Sequence, residues 1–119
     1  MMKSLVCRKP GGLELEMRQM PKEAQAGDVL VDIKHIGVCG TDFHIYEGLH
    51  PYLEYPRVMG HELGGVVAET ANGLNAGDVV IINPYLSCGT CHACKRGKPN
   101  CCYQIKVLGV HCDGGMCER

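Results

Sequence analysis

The sequence predicts a mainly β fold. Three observations carry that expectation: sixteen glycines in 119 residues, few aromatics (five Tyr, one Phe, no Trp), and no long amphipathic helical pattern. A chain of this length forms one domain, residues 1–119, and is long enough to bury a core.

The elements follow in order. Lys3 to Arg8 and Leu13 to Arg18 flank Pro10-Gly11-Gly12, and Leu13, Leu15 and Met17 alternate with charged residues, which predicts a hairpin with one buried face. Pro21 to Gly27 reads as a linker, and Asp28 to Val38 as a strand with Val29, Val31 and Ile33 on one face. Thr41 to Glu47 suits a short helix capped by Thr41 and ended by Gly48, with Thr41 and His44 on one face. Residues 49–57 read as a loop, and His61 to Glu69 and Asp78 to Ile82 as strands. Residues 84–103 have no periodicity, and Ile105 to Val110 is the last strand candidate. Two Gly-Asp-Val runs, at residues 27 and 77, are treated as coincidence.

Cys88, Cys91, Cys94 and Cys102 stand in C-x₂-C-x₂-C-x₇-C spacing. A two-residue gap lets one turn present successive thiolates to a single ion, and four thiolates suit a closed, structural Zn²⁺ site within residues 84–103. Backbone N–H groups with Lys95, Arg96 and Lys98 can offset the negative charge. Neighbouring side chains of an extended segment point apart, so the spacing selects Cys102, with Cys101 as the fallback. The nine cysteines do not read as a disulfide scaffold: the count is odd, four have metal spacing, and the first residues lack an apolar run of signal-peptide length. The expectation is a reducing, cytoplasmic compartment. Cys7, Cys112 and Cys117 read as packed or free thiols.

Cys39 and His61, with 21 residues between them, each offer a first-row metal ligand with acidic and hydroxyl groups nearby. Fewer than four tight protein ligands leave a position for water or substrate, the pattern of a catalytic zinc. His35, His50, His92 and His111 lack such context and read as structural or solvent-exposed, whereas Phe43, Tyr46, Tyr52 and Tyr55 are candidates to line a substrate pocket.

Val38-Cys39-Gly40-Thr41-Asp42-x-His44, Gly60-His61-Glu62-x-x-Gly65 and the four-cysteine loop, in that order, resemble the N-terminal catalytic domain of zinc-dependent medium-chain alcohol and polyol dehydrogenases. That domain is a GroES-like β-barrel with short helices. The Gly after the zinc cysteine is similar to the polyol, sugar-acid and threonine dehydrogenase branch. The resemblance implies that Cys39 and His61 hold the catalytic zinc. Glu62 matches an acidic neighbour that ligates directly in some members and sits close by in others. Asp42 would accept a hydrogen bond from the zinc-bound histidine, and Thr41 with His44 would relay the proton to solvent. Two zinc ions per chain are therefore expected, one catalytic and one structural.

The implied reaction is NAD- or NADP-linked oxidation of a secondary alcohol in a polyol, sugar acid or hydroxyamino acid. No G-x-G-x-x-G follows a strand, so a Rossmann cofactor domain is absent from these residues, and the chain is expected to be part of a longer, homo-oligomeric enzyme, inactive when isolated. A non-catalytic zinc-binding GroES-like module is the alternative, but it gives no reason to assemble Cys39, Asp42, His44, His61 and Glu62. A net charge of −1 argues against nucleic acid or an anionic membrane as partner, leaving a small-molecule alcohol.

Overall fold

A computed structural model describes all 119 residues. Strands β1 (Met2–Lys9) and β2 (Gly12–Arg18) form the expected hairpin, and β4 (Arg57–Val58) joins the other edge of β1. A second sheet takes the order β3 (Val31–Gly37), β5 (Glu62–Val67), β6 (Val79–Ile82), all antiparallel. A two-stranded ribbon pairs β7 (Tyr85–Leu86) with β8 (Lys106–Val107). Helix α1 (Gly40–Glu47) follows β3, and the cysteine loop carries a short α2 (His92–Lys95) and a 3₁₀ turn (Pro99–Cys101). No helix is long and apolar enough to cross a membrane.

The ladders do not close into one ring; the last residues stitch them together. The Leu5 amide donates to the Met116 carbonyl and the Ile33 amide to the Glu118 carbonyl, so this segment ties β1 to β3. It also ties down the approach to His61, because the Gly114, Gly115 and Met116 amides donate to the Val58, Gly60 and Met59 carbonyls. Only glycine fits here: a Cβ on Gly114 would come within 2.3 Å of the Gly60 oxygen. The core consists of Cys7, Ile45, Leu53, Met59, Val110 and Met116.

Several expectations change. Leu13, Leu15 and Met17 share a face with Leu5 and Cys7, but on the edge strand β2 they stay exposed; burial falls on β1, at Cys7 on that face and at Ser4 and Val6 on the other. The N-cap of α1 is Cys39 rather than Thr41, so the helix begins one residue sooner. The last strand shrinks to Lys106–Val107, because only β7 is there to pair with it. The two Gly-Asp-Val runs are not a coincidence. Gly27 and Gly77 both have φ 92°, and the following Asp28 and Asp78 amides close equivalent turns onto Gln25 and Asn75.

Candidate metal centres

Helix α1 begins where β3 ends, and β5 begins one residue after His61, so the two candidate ligands lie at the ends of neighbouring antiparallel strands. The fold brings Cys39 Sγ to 3.2 Å from His61 Nε2. Asp42 joins them: the three side chains present ligand-type atoms within 4.8 Å of one another. One Asp42 oxygen, Oδ2, accepts the Cys39 amide at 3.0 Å. The other, Oδ1, faces His61 Nδ1 at 3.9 Å, and both of these atoms are buried with no hydrogen-bond partner. A buried carboxylate beside an imidazole is costly unless something organises the pair. Coordination of Nε2 by a cation would place the ring proton on Nδ1, facing Asp42, so the donor set fits a metal ion.

A cleft of about 920 Å³ opens beside these groups, lined at one end by Cys39, Thr41, His61 and Glu62, and further along by Val79, Ile81 and Tyr85. Thr41 is half-buried in it. Glu62 is exposed and its carboxylate lies over Gly37, outside the Cys39–Asp42–His61 group. His44 is exposed on α1 and does not line the cleft. The four aromatics lie elsewhere. Phe43 and Tyr46 border an apolar hollow against Leu13 and Met59, Tyr55 donates to the Ile45 carbonyl, and Tyr52 lines a separate cavity.

The second centre gathers Cys88, Cys91, Cys94 and Cys102, whose sulfurs all lie within 4.8 Å of one another. Cys102 is buried while Cys101 is exposed. Amides of Cys88 and Gln104 donate to the Cys102 sulfur at 3.3 and 3.4 Å, and the Cys91 amide donates to Cys88 at 3.3 Å. Hydrogen bonds from the Thr90 amide and hydroxyl, then from Cys91, pull the Cys88 thiol down to about 6. Amides of Cys94 and Tyr103 lower Cys91, whereas desolvation pushes Cys94 up to about 11. The loop thus turns N–H groups toward sulfur, which favours the thiolates of Cys88 and Cys91, and the four-sulfur set suits a closed tetrahedral site for Zn²⁺.

Sequence reasoning missed how Asp42 is tied to the Cys39 amide, although Cys39-x-x-Asp42 is the N-cap to N3 spacing that signals such a bond.

The alcohol dehydrogenase GroES-like domain family matches residues 25–119. The starvation-sensing protein RspB of Escherichia coli K12 is 45% identical over 120 residues, covering 98% of this chain and 35% of RspB. L-galactonate-5-dehydrogenase of the same organism is 41% identical, with the same coverage. The solved alcohol dehydrogenase RspB of E. coli CFT073, complexed with NADH, superposes with a TM-score of 0.88 at 44% identity, over 98% of this chain and 34% of that one. The chain therefore spans about a third of the length of these relatives. With most of its residues matched and both cysteine-bearing centres assembled, the chain belongs to the alcohol dehydrogenase GroES-like domain family.

Proposed function

We propose that this chain is the metal-holding catalytic domain of a zinc-dependent dehydrogenase. The enzyme oxidises a secondary alcohol of a polyol, sugar acid or hydroxyamino acid, and NAD or NADP is held by a cofactor domain outside these residues. The observation that carries this reading is the 3.2 Å approach of Cys39 Sγ to His61 Nε2 at the end of an open cleft. Cys39 and His61 hold the catalytic zinc, and Glu62, lining the same cleft, is the further candidate ligand. A zinc ion held there supplies Lewis acidity, which makes an alcohol hydroxyl easier to deprotonate.

Asp42 fixes both ligands, through the Cys39 amide and through the face it turns to His61 Nδ1. The Thr41 hydroxyl, in the cleft wall, both accepts and donates, so it can take the alcohol proton. His44, exposed on the same helix, passes it to water. Cys88, Cys91, Cys94 and Cys102 hold a second, structural zinc that orders residues 84–103. Gly64 and Gly65 of β5 and the apolar residues of β6 line the rest of the cleft, where a substrate would lie. The alternative module without chemistry gives no role to the Asp42 pairing.

The test is made on the full-length enzyme. Cys39→Ser abolishes alcohol-dependent reduction of the nicotinamide, and His44→Gln lowers turnover at acidic and neutral pH more than at high pH. Retained activity in the first variant contradicts the reading; an unchanged pH profile in the second removes His44 from the relay.

A further inference from the structure

Three glycines line the cleft, and their surroundings differ. A Cβ built on Gly64 meets nothing closer than 3.8 Å, and one on Gly65 meets the Asp32 carbonyl of the neighbouring strand at 2.5 Å. Gly37, the last residue of β3, is crowded by a side chain instead. A Cβ there would lie 2.5 Å from Glu62 Oε2 and 2.9 Å from Glu62 Cβ. Its φ is not in the left-handed region, so the backbone does not require glycine. The space that the Glu62 side chain fills does.

Register explains the contact. Gly37 and Glu62 are direct cross-strand partners in the antiparallel β3–β5 pair, and such partners share one face of the sheet. Cys39 comes two residues later in extended backbone, φ −124° and ψ −179°, so alternation returns it to the face of Gly37. His35, Gly37 and Cys39 accordingly line the cleft, while Val38 borders the apolar hollow on the other side. Glu62 therefore shares a face with Cys39. Its carboxylate is the only one lining the cleft, and no ion pair in the fold occupies it.

We propose that Gly37 is a positioning residue: its bare Cα is the seat that lets the Glu62 carboxylate lie along the cleft wall and reach the ion held by Cys39 and His61. The proposal rests on the function proposed above and gives Gly37 a part in it. With a side chain at this position, the new Cβ and the carboxylate would claim one space, and Glu62 would turn away from the Cys39 side. Gly37→Ala thus displaces Glu62 without altering Glu62, Cys39 or His61.

Zinc affinity of the open centre tests this, measured in the chain by competition with a chromogenic chelator while the four-cysteine centre stays loaded. Gly37→Ala weakens binding by about tenfold, the size expected when the support of a ligand is lost, and keeps the parental circular dichroism. Glu62→Ala weakens it at least as much. Adding Gly37→Ala to Glu62→Ala costs nothing more, because no long side chain is left to displace. Cadmium NMR gives a second readout: each single variant moves the mixed-centre resonance and leaves the four-sulfur resonance in place.

Unchanged or tighter zinc binding in Gly37→Ala overturns the proposal, as does an equal loss from Gly37→Ala in the Glu62→Ala background. Should Gly37→Ala unfold, the double variant is expected to fold and bind zinc as Glu62→Ala does; an unfolded double variant overturns the proposal. If Glu62→Ala binds zinc as the parent does, the proposal falls and the Cys39–His61 reading stands. An open centre that binds no zinc in the parent overturns both.

Discussion

Asp42 Oδ1 faces His61 Nδ1 at 3.9 Å, and neither buried atom has another hydrogen-bond partner. The same carboxylate accepts the Cys39 amide through its other oxygen. One side chain at the third position of α1 therefore governs both groups that would hold the ion.

Asp42→Asn is nearly isosteric, and its oxygen can keep the Cys39 amide bond. Its NH₂ would then face His61 Nδ1, favouring the tautomer with the proton on Nε2, the atom nearest Cys39 Sγ. Zinc affinity at the open centre is expected to fall by about 10–100-fold with the fold intact. Competition with a chromogenic chelator, alongside circular dichroism, measures both.

Cys101 and Cys102 are adjacent, yet only Cys102 receives the amides of Cys88 and Gln104 and joins the sulfur cluster. Cys102→Ser is expected to cost one bound zinc per chain, whereas Cys101→Ser keeps the full complement; elemental analysis of the purified variants checks this. Residues 84–103 contain only a two-residue strand, a four-residue helix and a 3₁₀ turn, so metal binding must offset much of their ordering cost. Chelation is expected to raise hydrogen exchange in this loop before it does so in β1, β3 and β5. Uniform protection after chelation would contradict that.

Arg119 Nε donates to Asp32 Oδ1 at 2.7 Å and holds that carboxyl below its usual range, first through the hydrogen bond and then through charge. A depressed carboxylate pKa contributes stability above the unfolded value and loses it as pH falls through the folded one. Arg119→Ala is therefore expected to lower Tm at neutral pH, with the difference closing as Asp32 becomes protonated in both proteins. Melting curves across acidic and neutral pH read this directly, and a difference that widened in acid would contradict the tie.

Local signals placed most of the fold. The alternating hairpin, the Gly48 helix end and the Asp78–Ile82 run each depend on near neighbours, and the structure has them at or close to the expected positions. That Leu13, Leu15 and Met17 stay exposed was not legible, because alternation shows that two faces differ and not how far an edge strand is covered. The four-cysteine centre was legible from spacing alone, since a turn brings close residues together. The Cys39–His61 meeting needed the resemblance, because 21 intervening residues carry no local signal of contact. The packing of Tyr52 between His50 and His111 was not legible, because the rings come from two loops that meet only in the folded chain.

Cadmium NMR of the metal-substituted chain tests the central claim most directly, because the shift reports how many sulfurs surround each ion. Two resonances are expected, one from the four-sulfur centre and one from the mixed centre at Cys39 and His61. Cys39→Ser and His61→Ala should each move or remove the second resonance and leave the first in place. If both variants leave every resonance where it was, Cys39 and His61 do not share an ion.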